Sequence, residues 1–449
     1  LDNFNGKRNK KIKILSSILI GISILIFCFY VFRIGENPFK GLLTIITSPA
    51  VLITDFLVIG GIGGSFLNAT IIFLFNLYLV KTLDIPINGI VIASFFTVFG
   101  FSFFGKNILN ILPIYVGGIL YSKYSHIDFK EILITIFFTS ALAPFISEIA
   151  FRVDSTNYEF AYVNGVILGV VIGFIITPLA KKMVSFHEGY NLYNLGFTGG
   201  ILGAIITSIL KAYQFNITPQ RIISTEFDIA LKILCCITFS LLIIIGYYIN
   251  DRSFKGFMTL IKDTGWRADF TIKYGYGLTF INMGIMGFVA VSYVMLLGQT
   301  LNGPLLAGIL TIVGFSAHGK HIFNTIPILC GVFLAKFGST NDNFTVALSA
   351  LFGTSLAPIS GAFGSIWGII AGWLHFSVVR SIGIIHGGMN LYNNGFSAGI
   401  VAGFLLPIID IFSNQSSQRH INFLKRRKEL YNAIIQDRNQ SNFDEVYYD

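Results

Sequence analysis

Apolar runs separated by short polar breaks govern the chain from end to end. In the first half they fall at about 14–32, 65–81, 86–104, 108–122, 131–150, 163–180 and 191–211, and a comparable series fills the second half. Runs such as Ile14–Phe32 and Leu231–Ile249 carry almost no charge over roughly the ~20 residues a helix needs to cross hydrocarbon. The pattern predicts an all-α, polytopic membrane helix bundle. Ile14–Phe32 lacks a small-residue cleavage site and is read as a retained span, not a removed signal. The segment 41–60 is a further candidate. Its counterpart Phe257–Tyr274 holds Lys262, Asp263, Arg267, Asp269 and Lys273, too polar to span, so both are expected in the interface or entering partway.

The second half restates the first. At a shift of 214 residues Asp55-Phe56 meets Asp269-Phe270, and Asn68 meets Asn282. Asn88-Gly89 meets Asn302-Gly303, Gly105-Lys106 meets Gly319-Lys320, and Leu142-Ala143-Pro144 meets Leu356-Ala357-Pro358. At a shift of 199, the block His187–Phe197 (HEGYNLYNLGF) meets His386–Phe396 (HGGMNLYNNGF), identical at eight of eleven positions. The difference in shift falls on a polar insertion near 149–162 in the first copy. Shared positions are mostly Asn, Gly, Pro, Lys and Asp, not the Leu and Ile that any two membrane helices have in common. This predicts a basic N-terminus at 1–10, repeat one at 11–213, a loop at 214–229, repeat two at 230–412 and a tail at 413–449.

Charge orients the bundle. Only 12% of the 449 residues are charged, against 54% hydrophobic, and the net charge is +9. About 25% charge is usual for a soluble domain. Lys7, Arg8, Lys10, Lys11 and Lys13 precede the first run, and Arg419, Lys425, Arg426, Arg427 and Lys428 follow the last. That is a positive-inside pattern, not a nucleic-acid-binding surface. It places the protein in the cell membrane with both termini cytoplasmic and an even number of spans. Seven per copy gives fourteen. The join, Lys211–Lys232, has three basic and two acidic residues, which suits the opposite side of the membrane and hence inverted copies. Cys28, Cys235, Cys236 and Cys330 all lie in apolar runs with no CxxC pair, so neither a disulfide nor a metal site is expected, and no cofactor motif is present.

Four shared motifs are candidates for chemistry. Asn88-Gly89 and Asn302-Gly303 mark either a surface loop or the start of a half-length helix facing a pathway. Gly105-Lys106 and Gly319-Lys320 read as turns whose lysines snorkel to the interface, and Pro144 and Pro358 as further turns. In the fourth motif, His187, Asn191 and Asn194 stand at i, i+4 and i+7, one face if helical; so do His386, Asn390 and Asn393. Two such stripes either hold helices together or line a substrate path. His187-Glu188 is not a zinc-protease HExxH motif, because Asn191 replaces the second His and repeat two has Gly387 for Glu. Glu148 reads as a capping ion pair or as an acid present in one copy only.

The paired HxGxNLYNxGF block with the GK–N–P segments resembles a family of uncharacterised multi-pass proteins of low-GC Gram-positive bacteria, a domain of unknown function covering nearly the whole chain. Separately, Asn37-Pro38 with Gly41-Leu42-Leu43, then Asn88-Gly89, then Leu142-Ala143-Pro144-Phe145, is similar to the urea-transporter pattern, although repeat two has Ile359 in place of Phe145. That resemblance implies an inverted repeat around a narrow pore and assigns no substrate. The expectation is a transporter or channel for a small polar solute or ion, with its path at the interface of the repeats, surrounded by lipid and compatible with a homo-oligomer. The alternatives are a membrane-embedded enzyme or assembly factor, or a scaffold.

Overall fold

The computed structural model describes residues 35–51, 53–151, 158–215, 220–338, 342–382 and 385–412. The expected span Ile14–Phe32 and both basic termini lie outside these. By its contacts the chain divides after Ala402, and residues 403–412 continue the last helix.

The described residues are helical throughout, without a strand. In the first copy the helices are α1 (Pro38–Ile46), α2 (Phe56–Thr82), α3 (Gly89–Phe101), α4 (Ile108–Tyr124), α5 (Phe129–Thr139), α6 (Pro144–Phe151), α7 (Tyr158–His187) and α8 (Asn194–Ala212). The second copy has α9 (Asp228–Ile249), the one-turn α10 (Phe257–Leu260) and α11 (Phe270–Lys273), α12 (Gly275–Leu296), α13 (Gly303–Phe315), α14 (Ile322–Lys336), α15 (Asn343–Gly353), α16 (Ala357–Phe363), α17 (Ser365–Ile382) and α18 (Asn393–Phe412). A 3₁₀ turn precedes α6 and α16, at Ser140–Leu142 and Thr354–Leu356, and Pro144 and Pro358 stand just after it.

The polar residues repeated along the sequence are largely helix caps. Asp55 and Asp269, Asn88 and Asn302, and Asp128 and Asp342 each sit just before a helix and accept from its first amides. A cap satisfies donors that a helix start leaves unpaired, a need that is acute where water is absent. The turn after Asp55 stops at Gly61, with φ 67°, and the turn after Asp269 stops at the equivalent Gly275, with φ 81°. Both are left-handed positions that glycine adopts without strain. Each copy therefore begins its long second helix with the same break.

Among the described residues eight helices are long and apolar enough to cross a membrane, or nine if the bent pair Phe129–Leu142 and Pro144–Phe151 is one span. Fewer of the described helices are that long than the fourteen runs expected, because several are half-length and Ile14–Phe32 lies outside the described residues. The 13 residues of α3 and of α13 reach ~20 Å, short of a ~30 Å hydrocarbon core. The segment Phe257–Tyr274 does not span. Asp263 ties it together, accepting from the Lys273 ammonium and from the Tyr274 hydroxyl at 2.6 Å. Burial alone pushes the Asp263 carboxyl up, but these bonds and one from Gly265 N outweigh it and hold it below the usual range.

The two half-helices pack against each other antiparallel. A methyl group on Gly100 would lie 2.9 Å from Ala307 Cα, and one on Gly314 would lie 3.0 Å from Ala93 O. Ala93 and Ala307 are equivalents, as are Gly100 and Gly314, so each meets the other's counterpart. That exchange is the signature of a pseudo-twofold axis crossing the pair.

Candidate functional site

Three sets of contacts cross that axis, and each is made twice. The first joins the half-helices to the other copy. Gly89 N donates to Asp269 Oδ2 at 2.8 Å, and Gly303 N donates to Asp55 Oδ2 at 3.2 Å. Asp55 also accepts from Leu57 N and Ser224 N, both at 3.0 Å. Asn88 and Asn302 cap the same helices from within their own copy, accepting from Val91 N and Leu305 N. Their side chains are used in capping, and neither is among the residues that line the cavity described below.

The second set is the His-x-Gly-x-Asn-Leu-Tyr-Asn block. It does not form one helical face. α7 ends at His187, Glu188 and Gly189 take φ of 51° and 83°, and α8 starts at Asn194. In the second copy Gly387 and Gly388, with φ of 57° and 72°, break the chain at the same place. The turn nevertheless brings its polar groups together. His187 Nε2 and Asn194 Oδ1 are 3.0 Å apart, and His386 Nε2 and Asn393 Oδ1 are 2.8 Å apart. Asn191 Nδ2 donates to Gly395 O at 3.0 Å, and Asn390 Nδ2 donates to Gly196 O at 3.4 Å. Leu192 N donates to Ser355 O, and Leu391 N to Ala141 O, both at 3.0 Å. The blocks meet closely at Gly196 and Gly395, where a methyl group on Gly196 would fall 2.9 Å from Gly395 Cα.

The third set overturns an expectation. Gly105 and Gly319 do form turns, with φ of 87° and 101°, but Lys106 and Lys320 do not snorkel to the interface. Both are fully buried. The reason is the anchoring of the turns. Asn68 Nδ2 donates to Ser102 O and Lys106 O, both at 2.8 Å, and Asn282 Nδ2 donates to Ser316 O at 2.8 Å and Lys320 O at 2.7 Å. Asn110 and Asn324 donate to Gly105 O and Gly319 O. The turns are held inside the bundle and aim their lysines across it. Lys106 Nζ donates to Tyr392 OH at 2.6 Å, and Lys320 Nζ donates to Tyr193 OH at 2.5 Å and to Thr354 Oγ1 at 2.7 Å. Tyr193 and Tyr392 are the tyrosines of the two NLYN turns, so the second and third sets are one assembly. Among the described residues no carboxylate pairs with either lysine. The sequence reading missed this; the signal that could have found it is the presence of both the lysine and the tyrosine in both copies.

A cavity of about 180 Å³ lies beside this assembly. Thr97 and Thr311, Phe101 and Phe315, and Phe138 and Phe352 line it as equivalent pairs, as do Tyr193 and Tyr392. From there it extends into one copy only. Ile90, Ile134, Thr135, Leu192, Asn194 and Leu195, with the equivalent pair Gly196 and Gly395, complete the wall, and the first six are partly exposed. Their counterparts Pro304, Leu348, Ser349, Leu391, Asn393 and Asn394 are buried. The cavity thus starts on the axis and is open toward the first copy and closed toward the second. Of the residues proposed from sequence, Asn194 lines it directly; His187, Asn191, His386, Asn390 and Asn393 form the scaffold around it.

No group of His, Cys, Asp and Glu among the described residues is arranged to hold a metal. No curated protein and no solved structure matches the chain. A family model does match it, twice, over residues 34–212 and 249–411, which is the duplication that the paired caps, turns and lysines display. The chain belongs to the family described as Protein of unknown function (DUF1576).

Proposed function

We propose that this is a cell-membrane transporter for a small polar solute or ion, with inverted copies and a path through the cavity between them. The observation that carries this reading is the one-sidedness of the cavity. Two copies with matching residues around a shared axis have two equivalent ways to open, and here the unpaired lining residues are partly exposed in the first copy while their counterparts are buried in the second. Exchange between the two arrangements would expose the same paired residues first on one side and then on the other. Duplicated transporters place their sites at the repeat interface near the bilayer midplane and alternate access by moving one repeat against the other. The wall suits such a site, because broken backbone is tolerated at membrane depth only where protein or a water-filled cavity covers it.

Uptake of a panel of small neutral solutes, cations and anions into proteoliposomes tests the reading. At least one class should enter faster than into protein-free vesicles. Rates equal to those of empty vesicles across the panel would rule the path out.

Inversion has its own test. Tyr124 and Gly338 are equivalent, exposed positions at the ends of α4 and α14. With the native cysteines replaced, Tyr124→Cys and Gly338→Cys should react with an impermeant thiol reagent from opposite sides of the membrane. Labelling from one side would make the copies parallel. The antiparallel packing of α3 on α13 supports opposite sides, since equivalent half-helices that run in opposite directions would enter the membrane from opposite faces.

A further inference from the structure

We infer that the solute is a small organic anion, a carboxylate or sulfonate with a short apolar body, recognised through the Lys106–Tyr392 and Lys320–Tyr193 pairs; this rests on the cavity being the transport path. The argument starts from charge. Two lysines are buried beside one cavity, and neither meets a carboxylate among the described residues. No acidic side chain lines the cavity either. Cations inside a membrane protein pair with acidic groups, with backbone carbonyls, or with what the protein carries. Among the described residues these lysines meet hydroxyls and ring faces, so a lysine that carries a proton here draws its counter-charge from the solute.

The geometry fixes how the lysines act. They stand behind the cavity wall, not in it. Lys106 Nζ lies 4.7 Å from the Tyr392 ring centroid and 5.4 Å from that of Phe101. Lys320 Nζ lies 4.5 Å from the Tyr193 ring centroid and 5.5 Å from that of Phe315. All four rings face the cavity. Each tyrosine hydroxyl accepts from a lysine Nζ, and a hydroxyl that accepts can still donate. Hydrogen bonds in such a chain polarise one another, so a lysine that is protonated as an anion enters makes the hydroxyl a stronger donor toward it. The remaining wall is apolar apart from Asn194 and the hydroxyls of Thr97, Thr135 and Thr311. That wall suits an apolar body better than the full hydration shell of an inorganic ion. The volume of about 180 Å³ holds a molecule of a few heavy atoms and excludes large ones.

The test uses the full chain in proteoliposomes with two charge-differing pairs of nearly the same shape. Lactate is compared with lactamide, and methanesulfonate with dimethyl sulfone. The anion of at least one pair should enter at least ten-fold faster than its neutral isostere. Lys106→Met and Lys320→Met should each abolish that preference while the melting temperature holds or rises, because methionine fills the same space without a charge to bury. Tyr193→Phe and Tyr392→Phe, which change one atom each, should reduce the anion rate several-fold and provide the answer should a lysine variant fail to fold. Isosteres that enter as fast as the anions, or lysine and tyrosine variants that keep the preference, overturn the anion assignment and leave the path standing. Silence of all four probes overturns it as well, and the wider solute panel then decides whether the path falls with it.

Discussion

Asp55→Ala and Asp269→Ala should each cost several kcal/mol of stability, and both should loosen the contact between the copies. Asp55 is completely buried and accepts from Leu57 N, Ser224 N and Gly303 N. Alanine leaves three amides without an acceptor in a site that water does not reach. A buried donor left unpaired costs about 1–3 kcal/mol. Asp269 accepts from Gly89 N at 2.8 Å, from Thr271 N at 3.0 Å, from Ile272 N at 3.2 Å and from the Thr271 hydroxyl at 2.6 Å. The carboxylate charge also faces helix starts, where negative charge is favoured. Asparagine keeps one acceptor oxygen and loses the charge, so Asp→Asn should fall between wild type and Asp→Ala. Thermal unfolding in detergent, followed by intrinsic fluorescence, would rank the variants. Alanine variants that melt with the wild type would show that these carboxylates are not what secures the half-helices.

Gly196→Val and Gly395→Val should be about as damaging, through volume and not through hydrogen bonding. A methyl group on Gly196 would lie 2.9 Å from Gly395 Cα and 3.1 Å from Tyr392 Cβ; one on Gly395 would lie 2.9 Å from Gly196 Cα. The obstacle is backbone in both cases, so no side-chain rotation relieves it. Overpacking a close-packed contact costs typically about 1–3 kcal/mol, and this one lies on the axis and displaces both tyrosine turns together. The lost stability should come with loss of transport even in the fraction that folds, because Tyr193 and Tyr392 move with the crossing. Wild-type uptake and melting in either variant would mean that the two blocks do not approach as closely as described.

The duplication was legible because its markers are residues that resist exchange. Asp55, Asn88 and Asp128 return as caps in the second copy, and Gly105 returns at a left-handed position. Cap and turn chemistry survives where apolar side chains drift. The expectation that Asn88 and Asn302 start half-length helices matches the structure, but a pathway role for their side chains does not follow from it. What the sequence hid depends on contacts between distant segments. A lysine at the end of an apolar run reads as an interfacial anchor by default, and only the asparagine clamps from Asn68 and Asn282 reveal that Lys106 and Lys320 turn inward. The His–Asn blocks were read at helical spacing. The adjacent Gly387 and Gly388 were the local sign of a turn instead. The tyrosines between the asparagines carry the contact with the lysines, and no periodicity argument singles them out.

The reciprocal character of the cross-axis bonds bears on how the chain is made. Gly89 must wait 180 residues for Asp269, and Lys106 must wait 286 residues for Tyr392. At ~5–20 residues per second of synthesis, that second interval lasts on the order of tens of seconds. For that time the nascent first copy holds a half-helix whose Gly89 amide lacks its acceptor and a lysine without its tyrosine. It cannot complete its fold alone, however like a domain it looks. A chain truncated between the copies should therefore be less stable in the bilayer than the full one, and more quickly degraded.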